Sequence, residues 1–418
     1  MRYATASLIA IALSVGNTQQ ASGQTASAGQ EGFSKPQAPL SFQSCLTGIE
    51  QQAQRRGISN ATIDKNLKNL WPDPDVAVAP QGQAEFERPI WEYIDAAVSE
   101  ARISTGQGRL AEWSSLLEAI EARFGVDRHV LVAIWGIESS YGAALEDARA
   151  GRPVVRSLAT LACSDESRAA FWREQLVAAL QMLDRKDATL DQMTGSWAGA
   201  MGHTQFMPTT YQSYAVDFDG DGTRDIWRSI PDSLASTANY LSSLGWRSGE
   251  RWGYEVELPP GLDYSLANET TERQLSEWIG LGLRLDRDHS VMETRKTAVL
   301  VLPTGARGPA FLLLPNFRVI LGYNTAMAYA LSVAHLSDRL RGDQPLARAW
   351  PREDRMLTNA ERKELQELLA KRGFELGAVD GKVGPKTRAA IRAYQMSIGL
   401  LPDGYASGFL LDRARGVP

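Results

Sequence analysis

One glutamate closes a long apolar run. In AIWGIESSYG, Ala133 to Gly142, Glu138 follows Ile134, Trp135 and Ile137. A carboxyl group set against apolar side chains loses hydration when it ionises, so its pKa rises and it stays protonated near neutral pH. A glutamic acid in that state is a general acid. The competing reading is a helix-end glutamate facing solvent, and the run alone does not separate the two. A second stretch, GSWAGAMGHTQFMPTTYQSYAVDFDGDG, runs from Gly195 to Gly222. Gly195, Gly199 and Gly202 are spaced wrongly for a phosphate loop and suit close backbone approach. Ser196 and Gln205 stand among apolar neighbours, as sugar-binding polar groups do, although a packed helix pair with two satisfied polar residues is the simpler reading. A third, GYNTAMAYA, places Tyr323 and Asn324 at a helix start and Tyr329 two turns in. Tyrosine faces stack on sugar rings and Asn both donates and accepts, but tyrosines on such a helix are more often core.

The DFDGDGTRD segment has Asp217, Asp219 and Asp221 at positions 1, 3 and 5 of an EF-hand-like loop, with Gly222 and Thr223 at 6 and 7 and Asp225 at 9. Position 12 is Arg228 instead of glutamate, and Asp232 offers a later carboxylate. Crowded carboxylates repel, so a structural cation is favoured over a solvated turn, and calcium over magnesium. His129, His203, His289 and His335 fall at no metal-ligand spacing. His203 reads as a structural loop histidine, and no G-x-S-x-G elbow is present.

Mainly helical elements must position these groups. LLEAIEARFGVDRHVLVAIWGI has apolar residues three and four apart, broken at Gly125, and Phe171 to Arg185 is amphipathic. WGYEVEL, TAVLVLP and AFLLLPNFRVI read as strands, and Thr325 to Leu340 returns to helix. After a linker at Arg341 to Asp354, Thr358 and Glu361 form a capping box, and a proline opens another helix in GKVGPKTRAAIRAYQ. A three-helix module of about sixty residues is small but able to fold.

The 418 residues suffice for two or three domains. Hydrophobic residues make up 44% and charged residues 22%, which excludes global disorder, and a net charge of −5 argues against nucleic-acid binding. Arg2, the apolar stretch Ala6 to Val15 and the small residues after it read as a secretory signal too short to span a bilayer. An exported, soluble protein without a transmembrane anchor is expected. Export permits a disulfide, but Cys45 and Cys163 read equally as a pair or as two separate thiols.

Taken together, AIWGIESSYG, the Gly195–Gly222 stretch, ANYLSSLGW and NFRVILGYNTAMAYALSV resemble the lytic murein transglycosylase B family of the lysozyme-like superfamily. VDGKVGPKTRAAIRAYQ resembles a peptidoglycan-binding module. The resemblance implies a mainly α (α+β) fold, with a lysozyme-like helical catalytic domain, a small β region and a C-terminal three-helix module. Residues 1–28 would hold the signal peptide and the start of a linker, 29–345 the catalytic domain and 352–418 the peptidoglycan-binding domain. It implies that Glu138 is the sole catalytic acid/base and that Tyr93, Arg168, Ser196, Gln205, Tyr240, Tyr323, Asn324 and Tyr329 contact substrate. Ser167 stands where the family often has a second arginine. The implied metal set is Asp217, Asp219, Asp221, Thr223 and Asp232, holding structural Ca2+, with no cofactor required for chemistry. The implied partner is the peptidoglycan glycan strand, cleaved in the periplasm by a monomer at the β-1,4 bond of N-acetylmuramic acid to give 1,6-anhydro ends. A hydrolytic muramidase and a non-catalytic wall-binding protein are the alternatives.

Overall fold

The computed structural model describes residues 40–78, 88–146, 151–268, 270–285 and 295–417. The expected signal segment lies outside these residues. Helices dominate, and the one that ends in Glu138 is central. The Arg128–Ser139 helix starts at Asp127, whose carboxylate accepts from the His129 and Val130 amides. It is buried continuously from Val130 to Gly136, so it is apolar on every face, as a core helix must be. Ser114–Phe124 leads into it and stops at Gly125, which takes a left-handed φ of 73°. Around it pack Glu100–Glu112, Ile230–Ser243 and Met327–Arg341. The sequence left the cysteines open; they form a disulfide that ties helix Leu40–Arg55 to helix Val154–Ser164.

Two small sheets are added. Arg152–Pro153 pairs with Thr194–Gly195 at the entry to the glycine-rich loop. An antiparallel five-stranded sheet runs in the order Arg273–Gln274, Thr297–Val301, Ala310–Leu313, Gly253–Glu257 and Arg284–Leu285. One of its faces covers a separate core around Trp278, Leu300 and Leu312. The expected strand AFLLLPNFRVI is only half a strand. Pro315 opens a helix, Pro315–Tyr323, that buries Phe317, Val319 and Ile320. Proline presets the first helical φ and lacks the N–H that a first turn leaves unpaired.

Asn359–Lys371, Pro385–Ser397 and Gly408–Arg415 form the C-terminal three-helix unit, and Thr358 and Glu361 make the expected capping box. Leu365, Leu369, Ile391, Tyr394 and Leu411 form its own core. Among the described residues no single helix is long and apolar enough to cross a membrane.

Candidate active site

Glu138 sits on the last turn of its helix and is 4% exposed. The chain then makes a costly turn: Ser140, Tyr141 and Gly142 take φ of 50°, 60° and 91°. Left-handed non-glycine residues cost on the order of 1 kcal/mol or more each and persist only where the surroundings impose them. Here the surroundings do. Tyr141 donates to the Arg102 carbonyl at 2.8 Å and packs edge-on against Trp135. Ser139 Oγ donates to the His203 carbonyl at 2.7 Å and accepts from the Gly142 amide at 3.0 Å. A Cβ at Gly142 would lie 2.6 Å from Cε1 of His203, so only glycine fits. Trp135 Nε1 donates to His203 Nδ1 at 3.1 Å. His203 therefore accepts at Nδ1 and carries its proton on Nε2, and burial pushes its pKa down to about 4. It is a neutral structural histidine, as expected. It joins the end of the Glu138 helix to the 203–205 loop.

That loop meets the tyrosines. Tyr323 donates to the Thr204 carbonyl at 2.5 Å. Tyr329 donates to Glu138 Oε1 at 2.6 Å. The two rings are nearly parallel, with centroids 6.5 Å apart. Tyr240 lies 5.5 Å from Tyr323, with Phe206 edge-on to it. Burial, with the Glu138 charge second, holds the Tyr323 and Tyr329 hydroxyls well above the usual range. Burial pushes Tyr240 up to about 12. All three phenols are therefore protonated donors at neutral pH.

Two carboxamides keep open atoms. Gln205, at a φ of 54°, donates Nε2 to the Gly202 carbonyl, and its buried Oε1 has no partner. Asn324 accepts from the Ala326 amide, and its buried Nδ2 has no partner. Buried polar atoms left unpaired cost about 1–3 kcal/mol each, so a ligand that pairs them gains that much. Tyr93 lies on helix Ile90–Ala97, packed against the Tyr329 helix, and acts electrostatically on Tyr329.

Ser196 and Arg168 have other occupations. Ser196 Oγ accepts from the Ala200 amide at 3.0 Å and braces the glycine-rich turn. There a Cβ at Gly202 would come 2.3 Å from the Ile226 carbonyl, which accounts for a glycine at that place. The Arg168 guanidinium stacks over Phe171 and Trp172, at 4.8 and 4.6 Å. Its described contacts do not include Glu138 or the tyrosines. Sequence reasoning read Trp135 only as an apolar neighbour of Glu138 and singled out neither the hydrogen bonds of Ser139 nor those of Thr204. No periodicity could have joined them to partners 64 to 119 positions away.

In the acidic loop, Asp217, Asp219 and Asp221 each bring an oxygen within 4.8 Å of the others. Two oxygens on one Ca2+ at about 2.4 Å lie no more than twice that apart, so the trio fits a hard cation. Asp232 does not join them. It is fully buried, with Oδ1 accepting from the Phe218 amide at 2.7 Å and Oδ2 from the Asp225 amide at 2.9 Å. It frames the loop instead of facing a cation. The Thr223 hydroxyl and amide both donate to Asp221, so its side chain is also a turn brace.

A mainly helical fold thus surrounds a buried carboxyl with tyrosines and open carboxamides. The transglycosylase SLT domain profile matches residues 41–338, and a peptidoglycan binding domain profile matches 358–413. The chain belongs to the transglycosylase SLT domain family. It is 31% identical over 235 residues to membrane-bound lytic murein transglycosylase B of Escherichia coli (strain K12), across 55% of this chain. It spans 62% of that relative's length. SltB3 of Pseudomonas aeruginosa, solved in complex with NAG-anhNAM-pentapeptide, is 48% identical with a TM-score of 0.84, over 90% of this chain and 100% of that one. The Escherichia coli lytic transglycosylase SLT35, solved in complex with calcium, is 25% identical with a TM-score of 0.60, over 72% and 93%.

Proposed function

We propose that the protein is a peptidoglycan lytic transglycosylase that cuts the β-1,4 bond between N-acetylmuramic acid and N-acetylglucosamine. The observation that carries this reading is the buried Glu138 carboxyl with the Tyr329 hydroxyl 2.6 Å from Oε1. Protonated Glu138 donates to the bridging oxygen as the glycosidic bond breaks. The substrate's own acetamide stabilises the positive charge that develops at the muramic anomeric carbon, in place of a second enzyme carboxylate. Tyr329 stabilises the Glu138 carboxylate so formed, because a hydrogen bond to the ionised form favours it. That carboxylate then takes the proton of the same sugar's 6-hydroxyl, whose oxygen closes the 1,6-anhydro ring. The proton lost in the first half returns in the second, and an intramolecular nucleophile needs no positioned water. Gln205 Oε1, Asn324 Nδ2 and the faces of Tyr93, Tyr240 and Tyr323 orient the glycan, and Arg168 and Ser196 support the walls.

Asp217, Asp219 and Asp221 would hold a structural Ca2+, with Asp232 and Thr223 bracing the loop. The cation supplies charge neutralisation and takes no part in the chemistry. The Cys45–Cys163 disulfide and the N-terminal apolar stretch support export to the periplasm. Residues 29–345 act there as the catalytic domain of a monomer, and 352–418 hold the enzyme on its insoluble substrate. Mass spectrometry of digested sacculi tests the reaction. Anhydro ends are expected; non-anhydro ends throughout would mean that water is the acceptor.

A further inference from the structure

The helices that carry Glu138 and Tyr329 run antiparallel and are tied at both ends. Tyr329, in the first turn of Met327–Arg341, donates to Glu138, in the last turn of Arg128–Ser139. At the opposite end Arg341 Nη2 donates to Asp127 Oδ2 at 2.9 Å, across 214 positions of sequence. Glu138 stands eleven residues after Asp127, and Arg341 stands twelve after Tyr329. At 1.5 Å per residue these spans are about 16 and 18 Å, so the two ties match along the pair.

Asp127 serves both helices at once. Its Oδ1 accepts from the His129 and Val130 amides, which caps the Glu138 helix, and lies 3.0 Å from His129 Nδ1. Its Oδ2 takes Arg341. Burial opposes the charge, yet the His129 hydrogen bond and the Arg341 charge hold this carboxyl well below the usual carboxylate range. The last turn of the Tyr329 helix is also anchored by Asp338, which accepts from Arg251 at 2.9 Å and from Trp252 Nε1 at 3.0 Å. Helix ends commonly fray; the end that Arg341 holds is fixed.

Between the ties both helices bury mostly apolar or small side chains. Apolar contacts have no preferred direction, whereas an ion pair between two defined atoms does. Packed helices shift as units, by about 1–2 Å. A slide of about 1 Å would take the Tyr329 hydroxyl out of hydrogen-bond range of Glu138. We infer that Asp127 and Arg341 are positioning residues whose ion pair sets the register of the two helices and, through it, the Tyr329–Glu138 hydrogen bond. Its effect on rate rests on the transglycosylase reading above, in which that bond stabilises the Glu138 carboxylate. Both residues act from the far ends of the helices, away from the reacting atoms.

The test uses Arg341→Gln in the full chain. On peptidoglycan kcat is expected to fall roughly fivefold with KM unchanged, a part of the cost of losing the whole hydrogen bond. Arg341 reaches Asp127 through one nitrogen, so Arg341→Lys should restore kcat. In a Tyr329→Phe background Arg341→Gln should cost nothing further, because the bond that it positions is gone. No loss in the first background, or the same loss in both, overturns the inference. Asp127→Asn keeps a helix cap and removes the charge that holds Arg341. It should match Arg341→Gln, and it carries the test if Arg341→Gln fails to fold. Carbon-13 NMR of tyrosine-labelled protein without substrate keeps the two readings separate. The phenolic-carbon signal of Tyr329, assigned by its loss in Tyr329→Phe, should move in Arg341→Gln and stay in place in Arg341→Lys. That movement supports the clamp even if the enzyme makes no anhydro ends, and an unmoved signal in Arg341→Gln refutes it.

Discussion

The Glu138 site and the aspartate loop both rest on carboxyl groups, and they handle them in opposite ways. Glu138 is 4% exposed and accepts a hydrogen bond from a phenol 191 residues away in sequence. Asp217, Asp219 and Asp221 are crowded, largely exposed and ordered by amides within their own loop. On the proposed reading, burial makes a single carboxyl a proton carrier, because a charged form buried among apolar groups is poorly solvated. On the same reading, crowding makes three carboxylates a cation receptor, because like charges held close together repel. Solvent decides which chemistry the same functional group performs.

The contrast breaks most sharply at Glu138. Glu138→Gln keeps the shape and removes the exchangeable proton, and the rate of sacculus solubilisation is expected to fall roughly a thousandfold. A variant of unchanged activity would assign the chemistry elsewhere. Next is the histidine that joins the site. Its folded pKa is depressed from 6.5 to about 4, so between those pH values the unfolded chain takes up a proton that the folded chain refuses. Stability is whole above pH 6.5 and falls as pH drops toward 4, by on the order of 3 kcal/mol. His203→Asn should flatten that part of the urea-denaturation stability profile, and an unchanged slope would locate the acid sensitivity elsewhere.

Tyr329→Phe removes the donor to Glu138 and leaves the ring stack. A hydrogen bond to a charged group accounts for about 1.5–3 kcal/mol, so kcat should drop roughly ten- to hundredfold with little change in melting temperature. The smallest effect belongs to the loop. At ten times its Kd, calcium should stabilise the chain by about 1.4 kcal/mol, seen as a rise in melting temperature that is absent in Asp217→Asn. A melting temperature indifferent to calcium and to chelator would make the loop an acidic turn, and the comparison with Glu138 would lose one side.

Legibility in the sequence followed the range of the interactions. The central helix, its break at Gly125, the capping box at Thr358 and the aspartate spacing are local patterns, and each is found where the sequence places it. The segment after Leu314 reads as strand because Phe317, Val319 and Ile320 favour that state, yet it is helical because Pro315 starts a helix whose apolar face has a core to meet. Asp232 reads as a ligand by position, but the amides of Phe218 and Asp225 claim its carboxylate. Gln205 was visible as a polar residue among apolar ones and Asn324 as a donor and acceptor beside Tyr323, whereas their open atoms are a property of the packed site.

By itself the sequence determined which groups can do chemistry: one glutamate at the end of an apolar run, tyrosines six positions apart that the fold divides between the end of helix Pro315–Tyr323 and the start of Met327–Arg341 instead of placing both on one helix, and aspartates two apart. Residue type and short spacing set those capacities, and both are written along the chain. Only the tertiary structure decided that Glu138 meets Tyr329, that His203 locks the turn behind it, and that Cys45 pairs with Cys163. Such contacts depend on how helices far apart in sequence bury their faces together, and that packing has no period to read.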